Sequence, residues 1–210
     1  MKKIIIVGAG GYGRELLQWI KDINEVSPRW EIVGFIDDNL QALDGVECDY
    51  AIIGTIINWQ PKEDEEFALA IGNPKTKEQI VTMMKNKGAV FADIIHPTAT
   101  ITQFSKYGEG IVMFPYAKLS VNSKVGDYVA ILSSGVGHDV EIGDYSTISG
   151  MCSILPYVKI GKRVFLAANV AITYDIKIAD DAYLGIGSIV VKDVAEGQTT
   201  FCNPARILPK

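Results

Sequence analysis

The chain has 210 residues, 48% hydrophobic and 21% charged, with a net charge of −5 at pH 7. That balance argues against general nucleic-acid binding or an electrostatic membrane-surface role, and no apolar run approaches the roughly 20 residues needed to span a bilayer. Cys48, Cys152 and Cys202 are scattered without CxxC spacing, which reads as reduced thiols in a cytoplasmic protein; with two separated histidines they offer no metal-ligand spacing.

The opening MKKIIIVGAGGYG starts like a signal peptide, but glycines break the apolar run after Val7, so a cytosolic strand and turn are expected. Lys2–Val7 reads as a buried strand, Arg14–Asp22 as a helix and Glu31–Ile36 as a second strand ending in Asp37-Asp38-Asn39. Tyr50–Ile53 and Glu66–Ile71 read as strands, the latter leading to Gly72-Asn73-Pro74; Thr76–Lys87 reads as a helix and Val90–Ile94 as a lead-in strand. Strands alternating with helices imply a small parallel α/β sheet.

Gly8-x-Gly10-x-x-Gly13 follows a strand and opens a helix, the context of a nucleotide-binding turn. Glycine there lets the backbone approach a pyrophosphate, and the helix start favours the anion. A dinucleotide fold needs two mononucleotide halves, and only about 90 residues are present before the pattern changes, so no NAD is expected. A nucleoside diphosphate carrying another group needs only one half; a purely structural turn stays open. Asp37 and Asp38 sit at a strand's C-terminal end, where parallel sheets place ligand contacts, or else are solvated turn carboxylates.

From Ile95 onward every sixth residue is aliphatic or Met, with Tyr107 in register: Ile95, Ile101, Tyr107, Met113, Leu119, Val125, Ile131, then Val136, Ile142, Ile148 and on to Val190. Between Ile131 and Val136 the register loses one residue. The position four residues after each of the later set is small or β-branched, as in Ser146, Cys152 and Val158. A period of six fits neither a strand nor a helix. It fits a short strand plus a turn, with one side chain per unit pointing into a prism and three units per coil. The boundary falls near Ile95, giving residues 1–94 and 95–210 as two domains. Cys152 is expected to face inward and is no nucleophile.

His96 precedes Pro97 at the join and reads as part of a fixed turn. His138 lies in Gly137-His138-Asp139-Val140, where the repeat loses its residue. Its imidazole suits a general base. Asp139 reaches the ring only if the backbone bends between them. Ala167, Ala168, Gly185 and Gly187 are small residues on late coils that would let a pantetheine arm approach the backbone, or that serve tight turns.

Together these segments resemble the hexapeptide-repeat acyltransferases, more closely the sialic-acid O-acetyltransferase and bacterial nucleotide-amino-sugar N-acetyltransferase group. The resemblance runs in order through Val7-Gly8-Ala9-Gly10-Gly11-Tyr12-Gly13-Arg14-Glu15, Gly34-Phe35-Ile36-Asp37-Asp38, Ala70-Ile71-Gly72-Asn73 and Ile95-His96-Pro97-Thr98-Ala99. It continues in Gly137-His138-Asp139-Val140-Glu141-Ile142-Gly143-Asp144-Tyr145, Gly185-Ile186-Gly187-Ser188 and Asn203-Pro204-Ala205-Arg206. It implies a Rossmann-like domain followed by a left-handed parallel β-helix, assembled as a homotrimer. Acetyl-CoA would lie between neighbouring prisms as co-substrate, and a nucleotide-linked amino sugar would bind at Gly10, Gly11, Tyr12, Gly13, Asp37, Asp38, Gly72 and Asn73.

In the same resemblance His138 is the general base and Asp139 its orienting acid. Acetyl-CoA contacts would fall at Thr147, Pro156, Ala167, Ala168, Gly185 and Gly187. Three positions depart from the family: Tyr12 and Thr147 stand where histidines are frequent, and Pro156 where a glycine N–H serves the thioester oxygen. Proline has no N–H. The function implied is acetyl-CoA-dependent N-acetylation of an amino-sugar nucleotide, with a sugar O-acetyltransferase or a non-catalytic sugar-nucleotide-binding scaffold as alternatives.

Overall fold

The computed structural model describes residues 1–201, 203 and 206–207, the last two as backbone only; Cys202, Pro204 and Ala205 lie outside the described residues. The chain divides into two compact units after Pro97.

In the first unit, β1 (Lys2–Val7), β2 (Trp30–Ile36), β3 (Ile52–Gly54) and β4 (Glu65–Leu69) form a parallel sheet in the order β3-β2-β1-β4. Ile4, Ile5, Ile6 and Val7 are all fully buried, as expected of an interior parallel strand covered on both faces. Helix α1 (Gly11–Val26) is longer than the expected 14–22. It starts where Gly10 turns extended and stops at Ser27, also extended, because Pro28 disfavours helical backbone in the residue before it. Gly13, Leu16, Leu17 and Ile20 form its buried stripe, at the helical spacing of three and four.

Helix α2 (Pro74–Asn86) is capped by Asn73, whose side chain accepts from the Thr76 N–H at 3.0 Å, with Pro74 in the first turn. The strand expected at 90–94 is reduced to a single bridge between Phe67 and Phe91. Phe67 bonds Val90 and Ala92 on either side, and only Ile94–Ile95 (β5) beyond it is a strand. The apolar run there belongs partly to a connection.

Lys77 on α2 is 1% exposed, and burial pushes its ammonium down to about 7. An unfolded lysine titrates near ~10.4. Between about pH 7 and 10 the unfolded chain therefore binds more protons at this position, so its contribution to stability rises with pH across that window and is at its least favourable below it. Chemical denaturation at pH 7 and pH 9.5 is expected to show this gain in the native chain. Lys77→Met should reduce it; an unchanged pH dependence in the variant would contradict the assignment.

The second unit is a left-handed parallel β-helix. Two-residue strands stack in three sheets. One column carries Lys106, Lys124, Glu141, Lys159 and Lys177 as its first residues, the next Val112, Ala130, Thr147, Phe165 and Tyr183, the third Thr100, Lys118, Gly135, Ser153, Ala171 and Ile189. Within these columns partners stand eighteen residues apart, as in Lys106 with Lys124, except across one coil where they stand seventeen apart, as in Lys124 with Glu141.

Two side chains per unit point inward rather than the expected one. Ile148 and Cys152, or Leu166 and Val170, are all buried; the second inward position lies at the corner and accommodates only small or β-branched residues. Cys152 is 3% exposed, and its thiol donates to the Ala167 carbonyl at 3.1 Å. Tyr107, in register, is exposed instead. Its strand is the end member of its sheet and has a coil on one side only.

The corners are made by left-handed backbone recurring every six residues, at Tyr116, Asn122 and Tyr128, and again from Ser133 and Asp139 through Asp181. Each non-glycine residue held there costs about 1–2 kcal/mol, offset by ladder bonds between coils. The spacing drops to five between Tyr128 and Ser133. The shortened unit therefore ends at Ser133, and His138 stands in the regular unit after it, not in the break. The repeat alone located the loss only between two inward residues.

Candidate active site

His138 and Asp139 occupy one corner of the β-helix, between the strands Gly135–Val136 and Glu141–Ile142. Asp139 has φ +58°, a left-handed bend that brings two neighbouring side chains to one side where an extended chain would separate them. His138 Nδ1 lies 2.7 Å from Asp139 Oδ2. The imidazole is about half exposed, at 45%. The Tyr157 ring meets it edge-on at 5.2 Å between centroids. Asp139, Tyr157, Lys159, Tyr174 and Asp175 line a concavity beside it.

Gly137 permits the corner: a Cβ there would lie 2.8 Å from the Ile154 carbonyl oxygen and 2.9 Å from the Pro156 nitrogen of the next coil. Pro156 stands one coil beyond His138 at the same corner, and its carbonyl accepts from the Asp175 N–H. Asn122, one coil before, donates its side-chain amide to Asp139 Oδ1. Sequence reading missed Asn122, because nothing in a chain seventeen residues apart marks the contact.

The other expected acetyl-CoA residues do not gather at this corner. Thr147 is 1% exposed, on a strand between Ala130 and Phe165. Ala167 is buried, and Ala168 and Gly187 form a different corner, where the Gly187 N–H donates to the Ala168 carbonyl at 2.9 Å. Gly187 has φ +68°. Gly185 is covered within its own chain: a Cβ there would lie 2.4 Å from the Phe201 ring.

In the first unit, the glycine-rich turn joins β1 to α1 at the sheet's C-terminal edge. Gly10 precedes the helix and Gly11 opens it, both exposed, and a Cβ on Gly10 would meet nothing within 4 Å. Gly13 packs against the turn itself, with the Gly8 carbonyl oxygen 2.0 Å from where a Cβ would stand. The Tyr12 hydroxyl is buried, which raises its pKa above the ordinary phenol value.

Asp37 and Asp38 organise the adjoining loops. Asp37 accepts from the Ala9 N–H at 2.7 Å and the Asn39 N–H at 2.8 Å, tying the glycine turn to the end of β2. Asp38 accepts from the Ile57 N–H at 3.0 Å, holding the segment after β3. Asn73 caps α2, and Gly72 before it has open space where a Cβ would stand. His96, in the same unit, is 8% exposed, with Nε2 3.2 Å from Asp22 and the Trp19 ring edge-on to it. That is the fixed position expected of a residue before Pro97.

Residues 3–84 match the PglD N-terminal domain family. The GDP-perosamine N-acetyltransferase of Escherichia coli O157:H7 is 29% identical over 196 residues, covering 90% of this chain and 78% of the relative. The acetyltransferase domain of PglB from Neisseria gonorrhoeae, solved in complex with acetyl coenzyme A, superposes with a TM-score of 0.87 over 99% of both chains at 26% identity. PerB from Caulobacter crescentus, solved with CoA and GDP-perosamine, shares the fold, with a TM-score of 0.88 over 100% of this chain and 98% of its own at 20% identity.

A glycine-turn α/β unit joined to a hexapeptide β-helix is the arrangement the chain shares with these proteins, and it is similar to the hexapeptide-repeat acyltransferases. The similarity extends to nucleotide-amino-sugar N-acetyltransferases, the GDP-perosamine enzyme among them. Among the described residues, no helix is long and apolar enough to cross a membrane and no cluster of metal-binding side chains occurs.

Proposed function

We propose that the chain transfers the acetyl group of acetyl-CoA to the amine of a nucleotide-linked amino sugar, with His138 as general base. The observation that carries the chemistry is the His138–Asp139 pair. Asp139, whose carboxyl is held below its usual range by hydrogen bonds first from Asn122 and then from His138, is ionised and can only accept. The proton of neutral His138 therefore sits on Nδ1, and Nε2 keeps a free lone pair.

The amine nitrogen attacks the thioester carbonyl carbon, and Nε2 takes the proton the amine must lose. Asp139 stabilises the resulting imidazolium. As the tetrahedral intermediate collapses, the C–S bond breaks and the imidazolium returns the proton to the CoA thiolate. No acyl-enzyme is required. The glycine turn holds the diphosphate of the sugar nucleotide through its N–H groups and the start of α1, with Asp37 and Asp38 shaping the loops around it. Gly72 and Asn73 border the same sheet edge. Pro156 contributes no N–H, so the oxyanion donor is a different backbone amide from the family's.

The site is completed between chains. His138 and the Ala168–Gly187 corner stand apart on one prism, so a cofactor lying along the latter needs the histidine of a neighbour. The prism side between those corners is lined by small outward residues, Gly135, Ser153 and Ala171, and bordered by the exposed Met151 and Ile186, at 72% and 59%. A face of small residues lets a second prism approach closely, and the resemblance to hexapeptide-repeat acyltransferases implies three copies around it, a closed arrangement. Light scattering at micromolar concentration is expected to give about three times 22.9 kDa; a monomer would remove the shared site.

The reaction is tested by thiol release from acetyl-CoA against a panel of uridine, thymidine and guanosine diphosphate amino sugars. Amine-dependent release with at least one of them is expected. Release only with hydroxyl acceptors, or none with any, would overturn the reading in favour of O-acetylation or of a binding scaffold.

A further inference from the structure

Each oxygen of the Asp139 carboxylate has a partner, and they stand on different coils. Oδ2 faces His138 Nδ1 at 2.7 Å; Oδ1 accepts from Asn122 Nδ2 at 2.5 Å. Asn122 and Asp139 both have left-handed backbone, with φ +62° and +58°. Neighbouring coils are about 4.8 Å apart, so side chains leaving stacked corners in the same sense meet. The two are seventeen rather than eighteen residues apart because the coil between them contains the shortened unit.

We propose that Asn122 is a positioning residue for catalysis: its amide fixes the rotamer of Asp139 that receives the His138 Nδ1–H, and thereby keeps Nε2 as the basic atom. The inference rests on the reading of His138 as the base. The chemistry runs one way only. An amide Nδ2 donates, an ionised carboxylate accepts on both oxygens, and the remaining donor in the chain is the imidazole N–H. Asp139 is about one-third exposed, so without a second anchor its carboxylate is free to turn to solvent. The partners that orient a working histidine are commonly held in turn by such outer groups. The Asn122 hydrogen bond is also the largest influence depressing the Asp139 carboxyl, ahead of His138 and Lys124.

A second explanation of Asn122 exists and makes a different expectation. Asparagine tolerates positive φ better than most residues, so it could serve the corner alone. Glycine serves such a corner better still. Asn122→Gly therefore keeps the backbone comfortable while deleting the amide, and Asn122→Asp keeps the size and the tolerance while replacing the donor by an acceptor. A corner-filling role leaves both variants with a native site.

The experiment is nitrogen-edited NMR of the imidazoles in the full-length chain, with His138→Ala separating the two histidines. The native spectrum is expected to show neutral His138 protonated on Nδ1. In Asn122→Gly and Asn122→Asp the Nε2–H form is expected to appear, with melting temperatures within a few degrees of native. With acetyl-CoA and GDP-perosamine as probes, kcat should fall roughly ten-fold while KM for acetyl-CoA changes less than about two-fold. Asn122→Gly in an Asp139→Asn background should add no further loss, because Asn122 acts only through Asp139. Retention of the Nδ1–H form in Asn122→Gly, or an Nε2–H form in the native chain, would overturn the proposal. Failure of the base reading looks different: His138→Ala would then turn over at a near-native rate, while the tautomer change in the Asn122 variants would persist.

Discussion

His138→Ala is expected to lower kcat by ~10²-fold or more while acetyl-CoA affinity stays near native, because a general base contributes chiefly in the transition state. No other group at the corner replaces it. Tyr157 touches the ring edge-on, at 5.2 Å between centroids. Lys159 lines the concavity beside it. The other histidine, His96, is buried against Asp22 and Trp19 in the first unit. Steady-state kinetics with saturating acetyl-CoA check the effect, and equilibrium binding of CoA separates lost chemistry from lost binding. A variant with near-native kcat would make His138 a solvent-facing structural residue and leave proton transfer to the substrate or to water.

The second large effect is expected at Gly13. A Cβ there would stand 2.0 Å from the Gly8 carbonyl oxygen, well inside contact distance and against backbone that has no side-chain freedom to yield. Gly13→Ala should therefore destabilise the first unit by about 3 kcal/mol or more and abolish binding of a nucleotide-linked sugar such as GDP-perosamine. CoA binding, proposed for the β-helix, should survive. Gly10→Ala is the informative contrast. Its Cβ meets nothing, and its φ of −68° suits alanine. It should leave the melting temperature within a degree or two yet weaken nucleotide-sugar binding, because the added methyl occupies the space the diphosphate is proposed to use. Unimpaired binding in Gly10→Ala would show that the glycine turn serves the fold alone.

The architecture was legible in the sequence because the inward residues of a β-helix repeat at a period no other structure uses. Ile142, Ile148 and Ile154 announce it without help from the corners. The corners themselves were not legible. Their left-handed positions hold Tyr128, Tyr145, Met151 and Arg163, residue types that carry no turn signal; the ladder on either side, not local preference, imposes the conformation. For the same reason the sequence left open whether the backbone bends to bring Asp139 to the His138 ring, as it does at φ +58°. Helix ends in the first unit were displaced because Gly10 and Asn73 cap earlier than the apolar periodicity begins.

The site divides along the same line. His138 stood out because the chain has only two histidines and one of them precedes a proline. The glycine turn stood out by its context between strand and helix. Asp37 and Asp38 were placed correctly at a strand end, but their bonds to Ala9 and Ile57 are tertiary contacts that spacing does not carry. Asn122 was missed because its bond to Asp139 joins stacked corners seventeen residues apart, a tertiary contact that no local signal marks.

The central claim is that this chain acetylates the nitrogen of a nucleotide-linked amino sugar, and the product itself tests it most directly. The native chain, acetyl-CoA and GDP-perosamine or the corresponding uridine- and thymidine-linked 4-amino sugars are incubated together, and the nucleotide sugar is analysed by mass spectrometry and proton NMR. The expected product carries one added acetyl group as an amide on the sugar nitrogen, formed ~10²-fold more slowly when His138→Ala is used under the same conditions. An acetyl ester on a sugar oxygen, or recovery of every amino sugar unchanged while the chain binds both ligands, would contradict it.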